Sequence, residues 1–181
     1  MNIKKTNMRA NRKIFGTLQG FTLVEVMVVL VILSILTIFV APELTSWKPK
    51  MRLKNAADTL FENMQMAKSY AIKNNISVVF SFTLGAPLGL TSCKGGSYSF
   101  TDTAANVVAN VAMTNNVCLK ASGFDPLGTD GFTSRALPIN TAVATKTVTL
   151  STSDLPNSGD PTYLITQAIG GGITLTKGTN P

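Results

Sequence analysis

Histidine is absent from this chain of 181 residues. That removes any Ser-His-Asp or Cys-His arrangement and any imidazole ligand for a metal. There are only two cysteines, Cys93 and Cys118, too few to make a structural zinc site by themselves. Gly95-Gly96 and Gly170–Gly172 match no phosphate-cradling pattern. Asp125 and Asp130 bracket a turn, but their spacing is far from that of a calcium loop, and they read as solvated turn residues. The sequence thus predicts no catalytic residue, no metal and no cofactor, and points away from an enzyme.

Charge is scarce as well, at 14% of residues against 45% hydrophobic, and it is unevenly placed. Residues 1–20 hold Lys4, Lys5, Arg9, Arg12 and Lys13 and no acid. Most of the formal net charge of +7 therefore sits in this short leader. The rest is nearly balanced and gives no argument for nucleic acid.

What the chain does have is one long apolar run. From Phe21 to Ala41 the only ionisable side chain is Glu25. At ~1.5 Å per residue such a helix reaches ~30 Å, enough to span the hydrocarbon core of a bilayer. An ordinary secretory signal is cut after its apolar stretch, at small residues. Val40-Ala41-Pro42-Glu43 is a poor site of that kind, whereas Gly20 precedes the run. Cleavage between Gly20 and Phe21 would leave the apolar helix on the mature protein, headed by a new amine on Phe21. The basic leader argues for a cytoplasmic N-terminus. Lys48, Lys50, Arg52 and Lys54 on the far side weaken that asymmetry.

An ionisable group inside a span costs ~2.5–3.5 kcal/mol on insertion scales and normally has a partner. Glu25 lies four residues after Phe21, on the same helical face. It could pair with the Phe21 amine of its own or a neighbouring subunit. The alternative is a carboxylate near the membrane interface with no special role.

Beyond the run, Pro42 and Pro49 each remove a helix hydrogen bond and allow a bend. Trp47 and the basic cluster suit a membrane interface or, equally, a solvated helix start. Leu53, Ala57, Leu60, Met64, Ala67 and Ala71 then form one stripe at helical spacing, with Asn74-Asn75 as its stop. Ile76, Val78, Phe80 and Phe82 alternate as a strand would. Further strands are expected near 97–102, 106–113, 117–121, 143–151, 162–167 and 172–177, with loops at 85–96, 123–131 and 155–161. The predicted fold is α+β: a long N-terminal helix, transmembrane in its first half and amphipathic in its second, packed on antiparallel β-sheets. The expected segments are a leader (1–20), a transmembrane or filament-core helix (21–41), an amphipathic helix (42–75) and a periplasmic β-rich domain (76–181). A sparse, even cysteine count in an exported domain fits one Cys93–Cys118 disulfide, and two reduced buried cysteines are the alternative.

Gly20-Phe21-Thr22-Leu23-Val24-Glu25 followed by the apolar run resembles the class III signal of type IV pilins and type II secretion pseudopilins. The helix over 51–75, above all Ala67-Lys68-Ser69 and Ala71-Ile72-Lys73, resembles that of the GspH/FimT family, as does the turn Phe124-Asp125-Pro126-Leu127-Gly128. The resemblance implies a prepilin peptidase that cleaves after Gly20 and methylates the Phe21 amine. It also implies assembly through Glu25 into a filament with other pilins or pseudopilins, on an inner-membrane assembly platform. The protein would be a minor pseudopilin of a type II secretion system or a minor type IV pilin. It would sit as a single-pass protein in the bacterial inner membrane before joining a periplasmic or surface filament. DNA-binding members of the family carry Gly-Arg-x-Arg near the C-terminus. Gly170-Gly171-Gly172-Ile173-Thr174-Leu175 has no arginine, which argues against nucleic acid. A periplasmic domain on a plain single span, never polymerised, is the remaining alternative.

Overall fold

The computed structural model describes residues 20–87, 93–113, 116–124, 129–141, 145–154 and 159–179, without the side chains of 38–46, 87, 93, 121 and 122. The leader up to residue 19, the Asp125–Gly128 turn and the Cys93 side chain therefore lie outside what is described. The chain divides into two compact units that meet between Pro42 and Glu43.

One helix, α1 (Leu23–Asn74), crosses that boundary. Both prolines are accommodated within it. In the second unit its stripe is the spine of the core: Leu53, Ala57, Leu60, Met64, Ala67 and Ala71 are all fully buried. The helix ends where the chain turns left-handed at Asn75, φ 52°. There Ile76 N–H bonds the Ala71 carbonyl (3.1 Å) and Asn75 N–H bonds that of Ile72 (3.3 Å). This is the Schellman pattern, and asparagine is one of the few residues that tolerate its geometry.

Among the described residues ten strands follow: β1 (Val78–Thr83), β2 (Ala86–Pro87), β3 (Cys93–Lys94), β4 (Ser97–Asp102), β5 (Val107–Ala112), β6 (Val117–Ser122), β7 (Asp130–Phe132), β8 (Thr145–Thr152), β9 (Pro161–Ala168) and β10 (Ile173–Thr179). They form one sheet ordered β5-β4-β1-β7, a second ordered β10-β9-β8-β6, and the small pair β2-β3. Pairing within each sheet is antiparallel.

The alternation read from the sequence places Val78, Phe80 and Phe82 inward, where they meet Tyr98 and Phe100 of β4. The ring of Phe80 lies 4.3 Å from Phe100 and, edge-on, 5.3 Å from Phe132. Val148, Leu150 and Ile165 complete the same core from the second sheet. Asn63 of α1 donates its side-chain amide to the buried Tyr98 hydroxyl at 2.7 Å, satisfying the one polar atom of that ring. The hairpin between β9 and β10 turns on Gly171, whose φ of 75° suits glycine.

Three short strands fall in segments expected as loops or turns: β2, β3 and β7. The Asp130 expectation also needs correction. It is not a solvated turn residue. It is 1% exposed, and its carboxylate contacts Lys146 Nζ, itself 2% exposed. A carboxylate taken out of water needs such a partner.

Candidate functional site

The first turn of α1 is built by its sequence. Thr22 is the residue just before the helix, and its Oγ1 accepts the backbone N–H of Glu25 at 3.2 Å. One of the orphan donors of the helix start is thereby satisfied. Thr22-Leu23-Val24-Glu25 has the spacing of a capping box, a signal readable in the sequence beside the motif already noted. Glu25 also places its negative charge at the positive end of the helix dipole.

Around this acid every described large apolar side chain is exposed. Phe21 is 81% exposed, Leu23 and Val24 lie open too, and the pattern continues through Val26, Met27, Val28 and onward to Leu36. A helix that is apolar on all sides belongs in an apolar medium or against other apolar helices. An exposed apolar surface of this extent marks an interaction site. Among the described residues no helix is long and apolar enough to cross a membrane. The described side chains of the run stop at Thr37, short of the Ala41 that ends it in sequence.

The structure places Glu25 in the first turn of α1 and Phe21 two residues ahead of the helix, so the two do not share a helical face as their spacing suggested; Gly20 is exposed just before them. Cleavage after Gly20 would convert the Phe21 backbone nitrogen from an amide to a cation. A cation there and the Glu25 carboxylate could form a charge-assisted hydrogen bond. Cys118 is buried and is not a free thiol. Cys93 stands at the start of β3, beside β6, where Gly95 bridges Cys118. Among the described residues no cluster of three acidic or cysteine side chains could hold a metal ion.

Residues 19–41 match the family model of the prokaryotic N-terminal methylation motif. The chain is pilin-like: this motif heads a helix whose second part packs on antiparallel sheets. Among solved structures it is similar to the type IV minor pilin FimU of Pseudomonas aeruginosa. That likeness has 15% identity and a TM-score of 0.48, and covers 72% of this chain and 92% of the other. No curated protein is significantly similar to it in sequence.

Proposed function

We propose that this chain is a non-catalytic minor subunit of a type II secretion pseudopilus. A prepilin peptidase cleaves it after Gly20 and methylates Phe21, and it joins its filament through the apolar part of α1. The observation that carries this reading is the run Gly20–Glu25 at the head of a helix with outward-facing apolar side chains. Before assembly the apolar helix sits in the inner membrane, with the leader cytoplasmic and the β-rich domain in the periplasm. In the filament it bundles with the same helices of other pilin-like subunits. Its apolar surface stays out of water in both places, so transfer between them forfeits little hydrophobic free energy. Glu25 meets the Phe21 amine of a neighbour and sets the register. Cys93 and Cys118 form the bridge that staples β3 to β6.

A minor type IV pilin is the alternative machine for the same subunit. A DNA-uptake role draws no support from the turn between β9 and β10. It has no arginine, and Lys68 Nζ is engaged there by the Gly171 carbonyl at 2.8 Å. Phosphate binding is dominated by available cations.

The test is assembly. Filaments sheared or detergent-extracted from cells expressing the tagged protein should contain it alongside other pilin-like subunits. Loss of the prepilin peptidase should leave it as the longer precursor in the membrane. A protein absent from every filament fraction, and unaltered in length by loss of the peptidase, would leave the plain single-span reading in its place.

A further inference from the structure

The buried pair Asp130–Lys146 lies far along the chain from the assembly motif, and the filament mechanism makes no use of it. Asp130 opens β7 on the first sheet, paired with Phe80 of β1. Lys146 lies on β8 of the second sheet, directly opposite Gln167 of β9. All three side chains are buried. Lys146 Nζ touches Asp130 Oδ1. Gln167 gives its Nε2 to the Gly131 carbonyl at 3.2 Å. Its Oε1 is buried and has no hydrogen-bond partner among the described residues.

Two opposite charges removed from water this completely lose more hydration than an ordinary surface pair, and their attraction offsets that loss only when the geometry is very good. An amine nitrogen held against a carboxyl oxygen in a dry site has the carboxyl carbon one bond away, an arrangement that favours condensation. Proximity alone is worth an effective concentration of about 10⁵–10⁸ M when the groups are well aligned. We propose that Asp130 and Lys146 become joined by an intramolecular amide, an isopeptide bond that stitches the first sheet to the second.

The step balances without any co-reactant. A proton passes within the pair from the ammonium to the carboxylate, leaving an amine and a carboxylic acid. The Nζ lone pair attacks Cγ of Asp130 and forms the C–N bond. The Cγ–OH bond breaks, and the hydroxyl leaves with a second nitrogen proton as water. The product keeps one N–H on the former Lys146 nitrogen. Gln167 Oε1, across the β8–β9 pair, is the acceptor that the buried cluster offers for it. In this scheme Gln167 is a positioning residue. Both buried charges disappear, and the unpartnered oxygen gains a donor. The inference concerns the interior of the β-rich unit and does not depend on the filament reading.

Tryptic mapping of the full-length purified protein decides it. Lys120, Arg135, Lys146 and Lys177 bound three peptides in the unlinked chain: 121–135, 136–146 and 147–177. An acylated Lys146 resists trypsin, so the linked chain gives one branched species, 121–135 joined to 136–177, lighter by one water than the sum of its parts. Asp130-Gly131 could also lose water alone, as a cyclic imide, so mass loss must be read with a control. Lys146→Arg keeps the positive charge but carries a guanidinium that does not condense with a carboxyl. The branched species in the native protein, with full mass restored in Lys146→Arg, supports the bond. A free 136–146 peptide cleaved at Lys146, or water loss that persists in Lys146→Arg, overturns it. Gln167→Glu and Gln167→Leu should slow formation of the branched species in newly made protein. A purely structural role for Gln167 would leave that rate unchanged.

Discussion

Thr22 Oγ1 accepts the backbone N–H of Glu25 at 3.2 Å, which fixes the acid in the first turn of α1. Glu25 thus has two separable roles: it favours the helix start, and in the proposed function it sets subunit register. Glu25→Gln keeps side-chain shape and hydrogen-bonding capacity and removes only the charge. Both Glu25→Gln and Glu25→Ala should remain cleaved and membrane-bound. Incorporation into filaments should fall by at least about tenfold, the equivalent of about 1.4 kcal/mol. The ratio of filament to membrane protein measures it, and equal ratios for mutant and native protein would remove the register role.

Gly131 sits in β7 against β1, and a Cβ there would collide with the Val78 carbonyl. That neighbour is backbone within a paired strand and cannot swing aside. Gly131→Ala should therefore destabilise the β-rich unit by about 2–3 kcal/mol, at the upper end of overpacking costs. Gly159, whose Cβ would meet open space but whose φ is 90°, isolates the effect of backbone strain alone. Thermal unfolding of both alanine variants should show the larger loss at Gly131.

Asp102 closes the turn between β4 and β5. Its Oδ1 accepts the backbone N–H groups of Ala104 and Asn106, each at 2.8 Å, and its Oδ2 accepts the Asn106 amide at 2.8 Å and the Tyr70 hydroxyl at 3.3 Å. The Asn106 side-chain bond is the largest influence holding this carboxyl below its ordinary pKa, against burial, which pushes the other way. A depressed folded pKa contributes stability that is present above the unfolded value of about 3.9 and lost as pH falls through the folded one. Asp102→Asn should be less stable at neutral pH and should flatten this acid limb below about pH 4. Unfolding midpoints across that range check the sign, and an unchanged acid limb would mean another group carries it.

A Cys93–Cys118 bridge closes about 25 residues and in the chain-entropy picture contributes roughly 3 kcal/mol. Cys93→Ser, Cys118→Ser and the double mutant should then lose similar amounts, because either change removes the whole bond. Additive losses in denaturant titrations would mean two independent thiols.

The fold was largely legible because its core follows simple periods. The six residues of the α1 stripe and the alternation of Val78, Phe80 and Phe82 all turn inward as spacing alone requires. The strands that escaped are two or three residues long and carry turn composition: Ala86-Pro87, Cys93-Lys94 and Asp130-Gly131-Phe132. At that length there is no period to read: β2 and β3 pair locally with each other, and β7 forms by pairing with the distant β1. Asp130 was misleading for a related reason. Its partner lies 16 residues away on the other sheet, and no local pattern announces a buried charge pair. The assembly motif is the opposite case, since its residues are consecutive and its chemistry is local.

The proposed function requires a mature protein that begins at Phe21. Mass spectrometry of the protein isolated from membranes or filaments should find chains that begin at N-methylated Phe21, with residues 21–41 retained. Chains that still carry residues 1–20, or that begin beyond Ala41 after losing the apolar helix, would contradict it.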